Sequence, residues 1–332
     1  MKNLFINTLT ILILIGCAPK KKNDYDSNTG YSGNISISGA FALYPIVVLW
    51  SEDFKKLHPN VRFNISAGGA GKGITDVLTD MMDIGLVSRD LHPQELEKGA
   101  LPIFVAKDAV LATYNTNHEN SDLLKQRGLT QKELEDLFVN QTYKKWSDID
   151  PRFIDAPIRV YVRSDAAGAA ETWAKFFGQN QEDLRGIGIF GDPGLAQAIK
   201  DETKSIGFNN LNYIYDLNTK KTSANIGVIP LDKNANGIID KDEDFYSTID
   251  ELTEAVAAGR YPSPPSRPLA FVIKKGDNKP LIEEFIRFVL EEKQQGHLLA
   301  NGYIPLTATQ LVSELEKVSK TQGIKQARIK PQ

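Results

Sequence analysis

Segments with strand-like and helix-like patterns alternate along most of this chain of 332 residues. Val61 to Ile65 alternates like a strand, Ile74 to Met82 carries apolar residues at helical spacing, and the stretch IGLV after it is strand-like again. A later helix pattern, DPGLAQAIK, has Asp192 in the position of an N-cap and Pro193 at its first position. Strands separated by helices predict an α/β protein with largely parallel sheets. The length is sufficient for two lobes of about 150 residues each.

The N-terminus, MKNLFINTLTILILIGC, has the pattern of a secretory signal peptide. Its apolar run from Leu9 to Ile15 is shorter than the about 20 residues that a membrane span requires. The ending LIGC resembles the lipobox of bacterial lipoproteins, in which the cysteine is lipidated and becomes the mature N-terminus. We therefore predict a lipoprotein signal peptide over 1–17, lipidation at Cys17, and a polar, flexible tether over 18–33 that leads to a folded part beginning near Asn34. A plain signal peptide with an incidental cysteine is the alternative.

Three turns rich in small residues each lead into a helix pattern: SGAFALYP, SAGGAGKGI and SDAAGAAETW. Glycine allows an anion to approach main-chain N–H groups at the positive end of a helix. Arg163 stands at the start of the third turn. Three helix N-termini and one guanidinium could therefore surround a tetrahedral oxyanion, although each turn taken alone could be only a tight turn. The spacing in AGGAGKGI does not fit the P-loop of nucleotide-binding proteins.

Taken in order, SGAFALYP, SAGGAGKGI, DIGLVSR, VAKDAVLATYN, VYVRSDAAGA and PLAFVIKKG resemble the periplasmic phosphate-binding proteins of Pst-type ABC transporters. The resemblance extends from residue 34 to about 310 and implies a type II periplasmic-binding-protein fold. In that fold two α/β lobes enclose a cleft and two hinge strands connect them, here VAKDAVLATY, with a break suggested at Lys107 and Asp108, and RPLAFVIK. The implied division is 34–110 plus 267–320 for lobe 1, 111–266 for lobe 2, and 321–332 for a C-terminal tail.

The resemblance also implies which residues form the anion site. The family's guanidinium falls on Arg163, the carboxylate that orients it on Asp165, and a glycine N–H donor on Gly168. Positions that carry hydroxyl groups in the family hold apolar residues here: Ala70, Ala167, Ala169, and either Ala40 or Phe41. Where some members use an aspartate to accept the phosphate proton, after Ser88, this chain has Arg89. The expected anion site consists of Ala40, Phe41, Ala70, Gly71, Ser88, Arg89, Arg163, Asp165, Ala167, Gly168 and Ala169.

Two arginines with no carboxylate facing the ligand would favour a fully ionised oxyanion, and the alanines could equally leave room for a larger anion. The stretch FNNLNYIYD carries asparagines and tyrosines that either face the cleft or satisfy the ends of strands. The sequence thus predicts an anion site but leaves the identity of the anion open.

The stretch DKNANGIIDKDE, residues 232–243, fits the calcium loop of EF-hand proteins at every required position. Oxygen donors alternate because such a loop winds around the ion, and Gly237 stands at the sharp turn. A structural Ca²⁺ is therefore predicted, with an affinity of about 10⁻⁴–10⁻³ M as in extracellular modules. An acidic turn without an ion is the alternative. The predicted ligands are Asp232, Asn234, Asn236, the carbonyl of Ile238, Asp240 and Glu243.

The sequence does not predict an enzyme, because the four histidines lack partners at metal-ligand spacing and no G-x-S-x-G motif is present. With a net charge of −3, it also gives no indication of a nucleic-acid partner. Three functions remain open: a lipid-anchored, extracytoplasmic phosphate receptor that delivers its ligand to an ABC permease and ATPase, a receptor or sensor for another anion, and a calcium-stabilised adhesion or glycan-binding lipoprotein. A monomer in the periplasm or at the cell surface of a bacterium is expected.

Overall fold

A mixed sheet of ten strands extends through the part of the chain that this computed structural model describes, residues 25–26, 30–276 and 279–326. The main strand order is β1-β2-β4-β10-β5-β8-β6-β7, while β3 pairs with β2 and β9 pairs with β5. The strands are β1 Tyr25–Asp26, β2 Gly30–Gly39, β3 Asn60–Ala67, β4 Ile84–Val87, β5 Ala100–Tyr114, β6 Arg159–Arg163, β7 Ile187–Ile189, β8 Ser205–Asn210, β9 Gly227–Val228 and β10 Ser266–Lys274.

Helices connect and cover these strands. The α-helices are α1 Tyr44–Leu57, α2 Ala70–Leu78, α3 Pro93–Glu97, α4 Ser121–Arg127, α5 Gln131–Glu135, α6 Trp146–Ile149, α7 Gly168–Phe176, α8 Gly191–Asp201, α9 Leu211–Ile214, α10 Ile249–Ala257, α11 Pro280–Val289, α12 Glu292–Gly296 and α13 Ala308–Gln326. Short 3₁₀ segments lie at Phe41–Leu43, Gln181–Asp183 and Leu299–Asn301, and a π-helical segment at Asp136–Asn140. Within the described ranges, no helix is both long and apolar enough to span a membrane.

Two groups of strands are parallel, as the alternation of strands and helices predicts. Strand β2 pairs in parallel with β3 and β4, and β6 pairs in parallel with β7 and β8. The connecting strands β5 and β10 run antiparallel to each other and to their other neighbours. The sheet is therefore mostly parallel within each lobe, apart from the short β1, which runs antiparallel to β2, and it is antiparallel where the lobes join.

Separate hydrophobic cores define the two lobes. The first core combines residues between Ile35 and Ala106 with residues between Leu269 and Val318, and Trp50 is fully buried in it. The second contains Trp146, Trp173 and neighbouring aromatic residues, and a third, adjoining cluster lies around Ile249. These large aromatic residues are accordingly inside the lobes.

Strands β5 and β10 cross between the cores. Residues up to Ala106 of β5 belong to the first core, whereas Val110 and Ala112 belong to the second. The strand is continuous through Lys107 and Asp108, so the suggested break there is wrong. Pairing with β10 continues through this point, with Asp108 opposite Arg267, which explains why a charged residue does not interrupt the strand.

The folded part begins earlier and ends later than the sequence indicates. Strand β2 starts at Gly30, inside the predicted tether, because Ser32 already pairs with Asn60 of β3. Helix α13 continues to Gln326, inside the predicted tail. The predicted signal peptide and Cys17 lie outside the described residues.

Candidate anion-binding cleft

The three glycine- and alanine-rich turns meet between the lobes. The main-chain N–H of Gly71, in α2, donates to the carbonyl of Ala166 in the third turn, at 3.3 Å. A Cβ on Gly69, which has a φ of +90°, would lie 2.8 Å from the same carbonyl, and one on Gly168 would overlap Ser88. Glycine at these two positions therefore permits the turns to approach one another closely.

Four amides at the starts of the helical segments are available to a ligand. For the N–H groups of Phe41, Ala70, Gly168 and Ala169, no acceptor is found among the described residues. They begin the 3₁₀ segment before α1, helix α2 and helix α7, where a helix leaves its first N–H groups unbonded. The partial positive charge of a helix N-terminus adds to their attraction for an anion.

Three other predicted donors are used within the protein. The N–H of Ala40 donates to the carbonyl of Leu86 at 2.8 Å, and that of Ala167 donates to Oε1 of Gln181 at 3.0 Å. The N–H of Gly71 is bound to Ala166, as described above. These three amides are therefore not free to donate to an anion in this structure, although their residues belong to the predicted site.

Arg163, at the end of β6, is held by two carboxylates. Its Nε and Nη2 donate to Asp165 at 2.8 and 2.5 Å, as the resemblance implies. Its Nη1 lies 2.8 Å from Oδ1 of Asp192, but the two groups are not aligned for a hydrogen bond. Burial would lower the pKa of Arg163, but Asp192 and Asp165 outweigh burial and raise it. Arg163 is thus a permanent cation, 1% exposed, with its plane fixed by Asp165.

The aromatic ring of Phe41 brings the first turn to the same place. The guanidinium carbon of Arg163 lies 5.5 Å from the centre of that ring, and the main-chain carbonyl of Phe41 accepts a hydrogen bond from the hydroxyl of Tyr213 at 3.1 Å. Burial, together with the charge of Asp192, raises the pKa of Tyr213, so this hydroxyl remains neutral. All three turns and the guanidinium therefore converge.

A second buried pair lies directly behind this site, on the connecting strands. Nη2 of Arg267 is 3.1 Å from Oδ2 of Asp108 and also donates to Oδ1 of Asn210. Burial raises the pKa of Asp108, although Arg267 opposes this. Asn210, from the stretch FNNLNYIYD, thus faces the buried charges between the lobes.

Sequence reasoning missed Asp192, Asp108 and Arg267 as residues of the cleft. Asp192 was expected to cap α8, but the N-cap is Phe190, and the carboxylate turns inward to Arg163. The charged Asp108 in an otherwise apolar strand was the available signal, and it was interpreted as a break. Charged residues inside a strand pattern are more informative as candidates for a buried pair.

Arg89 does not face the anion site. Its Nη1 and Nη2 donate to the carboxylate of Glu95 at 2.9 and 2.8 Å, and its Nε lies 2.9 Å from Oε2 of Glu171. The predicted anion contact is therefore wrong for this conformation, because two carboxylates take up the guanidinium. Since Glu171 lies in α7 of lobe 2, Arg89 forms a salt bridge between the lobes, beside Ser88 where Gly168 packs.

The predicted calcium loop has many internal hydrogen bonds. Asp232 accepts from the N–H of Gly237 at 2.9 Å, and Glu243 accepts from the N–H of Lys233 at 2.9 Å. Asn234 and Asn236 each donate from Nδ2 to Asp240 at 2.9 Å. Gly237 has a φ of +77°, which is the left-handed conformation that the sharp turn requires.

The donors of this loop suit a hard cation. Asp232 and Glu243 are 1% and 2% exposed, and neither forms an ion pair within the described ranges. No cluster of three or more His, Cys, Asp or Glu side chains in the described residues is arranged to hold a metal. Three of the expected ligands of the loop are carboxylates, two are side-chain amides and one is a main-chain carbonyl, which are ordinary calcium ligands. A cavity of about 480 Å³ borders the loop, and none of the predicted anion-site residues lines it.

The comparisons with known proteins agree on one family. Residues 26–293 match the family model of the PBP superfamily domain. The phosphate-binding protein PstS of Pseudomonas aeruginosa is 24% identical over 86% of this chain and 87% of its own, and PstS of Bacillus subtilis is 27% identical over 86% of both. A solved candidate phosphate ABC transporter substrate-binding protein from Clostridium perfringens, with bound phosphate, covers 83% of this chain and 100% of its own at a TM-score of 0.67 and 22% identity. The chain belongs to the PBP superfamily and has its type II periplasmic-binding-protein fold.

Proposed function

We propose that this protein is an extracytoplasmic solute-binding lipoprotein that captures phosphate, or a similar tetrahedral oxyanion, between its two lobes. The observation that supports this most directly is the set of four unbonded amides, from Phe41, Ala70, Gly168 and Ala169, at three helical N-termini around one buried arginine. Such a set provides directed donors and positive potential for a small anion. It contains no nucleophile with an adjacent base, which favours binding over catalysis.

Delivery to an ABC importer is part of the proposal. Relatives named phosphate-binding protein PstS cover most of the chain, which supports the same role here. Lipidation at Cys17 would hold the protein at the outer face of a bacterial membrane, within reach of a permease and its ATPase. We propose that it acts as a monomer and that a Ca²⁺ in the loop 232–243 stabilises lobe 2.

A receptor for a different anion is the second candidate. The alanines at positions 70, 167 and 169 remove hydroxyl donors that are each worth about 0.5–1.5 kcal/mol. A site that depends on amides and one arginine distinguishes less between tetrahedral anions. The adhesion hypothesis has weaker support, since Trp50 and Trp173 are buried instead of forming an exposed platform.

Calorimetric titration of the lipid-free protein with phosphate, sulfate, molybdate and tungstate tests the proposal. Saturable binding of phosphate, tighter than that of the other three, is expected. Tighter binding of another anion would favour the second candidate, and no heat with any of the four at millimolar concentration would exclude both. The variant Arg163→Gln should bind none of them, whereas Arg152→Gln, which changes an exposed arginine, should bind like the unmodified protein.

A further inference from the structure

The third turn leads into α7 without the side-chain cap that usually fixes the start of a helix. Ala167 is the N-cap residue of α7, in an extended conformation, and its methyl group cannot accept a hydrogen bond from the first amides of the helix. Serine, threonine, asparagine and aspartate are the residues that usually do so. The amides of Gly168 and Ala169 thus stay free for a ligand, but the turn before them needs support from another part of the chain.

The side chain of Gln181, in the 3₁₀ segment Gln181–Asp183, spans this turn. Its Oε1 accepts from the N–H of Ala167 at 3.0 Å, and its Nε2 donates to the carbonyl of Asp165 at 2.7 Å. One side-chain amide therefore binds the main chain on both sides of Ala166. These two hydrogen bonds fix the chain directly before the free amides of α7.

The other main-chain contact of the turn depends on the opposite lobe. The carbonyl of Ala166 accepts from the N–H of Gly71 at 3.3 Å, and Gly71 lies in α2 of lobe 1, so this bond is lost when the lobes separate. For the carbonyl of Asp165 and the N–H of Ala167, the described part of the chain offers no partner except Gln181. Gln181 is therefore the support that remains while the cleft is open to a ligand.

We propose that Gln181 is a positioning residue of the anion site, which keeps the third turn in its binding conformation before an anion arrives. The free amides of Gly168 and Ala169 then meet the anion without the cost of ordering the turn during binding. Gln181 itself does not touch the anion, because both polar atoms of its side chain are bound to the turn. This inference rests on the proposed function.

The variant Gln181→Met tests the residue, because it keeps the length of the side chain and removes both hydrogen bonds. Calorimetric titration is done with phosphate, or with sulfate, molybdate or tungstate if one of these binds more tightly. The affinity should be about tenfold lower, a factor that corresponds to ordering the backbone of roughly one residue on binding. Hydrogen exchange measured by NMR on the anion-free protein should be faster at the amide of Ala167, which loses its acceptor.

Gln131→Met is the matched control. Gln131 donates from Nε2 to the carbonyl of Phe176, at the opposite end of α7, so the same substitution removes a support of the same helix away from the anion. Both variants should unfold at a lower urea concentration than the unmodified protein, and only Gln181→Met should bind the anion more weakly. This comparison separates positioning of the site from support of the fold.

If Gln181→Met binds the anion as tightly as the unmodified protein, or if Gln131→Met loses as much affinity, the inference is overturned and the proposed function stands. If the unmodified protein binds none of the four oxyanions, both fail. Should Gln181→Met not fold, Gln181→Asn replaces it, since its side chain is one methylene group too short to span the turn. It should show the same loss, and an unchanged affinity would overturn the inference.

Discussion

The anion cleft and the calcium loop are two charged regions assembled in opposite ways. The loop takes all its donors from residues 232–243, and its internal hydrogen bonds shape it locally. The cleft takes its charged and donor groups from β5, β6, β10, α8 and three separate turns. A local site depends on few other parts of the fold, whereas an assembled site depends on both lobes. The cleft, and not the loop, should therefore respond to changes far from its own residues.

The largest expected effect comes from removing the central cation of the cleft. Arg163→Ala leaves Asp165 and Asp192 buried without their partner, and breaking a buried pair costs about 3–5 kcal/mol of unfolding free energy. Urea unfolding measures the loss. The exposed Arg152 provides the control, because its partner Asp150 keeps a second ion pair with Arg127 and Arg152→Ala should change the unfolding midpoint little. Equal midpoints for the two variants would contradict the assignment of Arg163 as a buried structural cation.

The next effect concerns the loop. At a calcium concentration about a hundredfold above the dissociation constant, binding should stabilise the protein by about 2.7 kcal/mol. Differential scanning calorimetry with and without calcium should show a higher Tm, and Asp232→Ala combined with Glu243→Ala should abolish the rise. Asp242→Ala changes an exposed carboxylate of the same loop outside the predicted ligands and should keep it. A calcium response that survives the double change would place the ion elsewhere.

A smaller effect is expected at the edge of the cleft. Glu171→Gln removes the carboxylate that forms a salt bridge with Nε of Arg89 at 2.9 Å across the lobes, which should weaken the contact between them. The lobes should then separate more easily, so small-angle X-ray scattering should report a larger radius of gyration. Glu97→Gln, an exposed change on α3, is the control. An unchanged radius would mean that the salt bridge does not hold the lobes together.

The smallest effect is on pH dependence. Burial would raise the pKa of Glu95, but hydrogen bonds from Arg89 and the N–H of His92 outweigh burial and lower it. A carboxyl group whose pKa is lower in the folded state stabilises the protein above its unfolded pKa and loses that contribution as pH falls. The unfolding free energy should therefore decrease below about pH 5, and Glu95→Gln should make the decrease shallower. A variant with the same slope would show that Glu95 contributes nothing to acid sensitivity.

The two regions also differ in what the sequence could predict. The α/β architecture and the type II fold are confirmed. They could be predicted because alternating patterns and the order of the motifs depend on local chain properties. The positions of Arg163 and Asp165 agree with the resemblance, since the pair lies within one turn. Lipidation at Cys17 and calcium binding stay predictions.

Contacts between distant segments could not be predicted. Nothing local shows that Arg89 meets Glu171, or that Asp192 turns away from its helix end towards Arg163. Nothing local shows either that the amide of Ala167 donates to the side chain of Gln181, which comes from a segment further along the chain. In each case a side chain of the protein competes with the ligand or the helix end for a donor or a cation, and only the folded chain shows which of them binds it.

The opposed residues Asp108 and Arg267 lie on the two strands that connect the lobes. Any separation of the lobes has to bend or twist these two paired strands, so the contact between Asp108 and Arg267 is strained by the motion. A bound anion that changes the electrostatics beside this pair would therefore change the stiffness of the hinge strands directly. Ligand binding and lobe motion would then be coupled at the hinge itself, with no intermediate element between them.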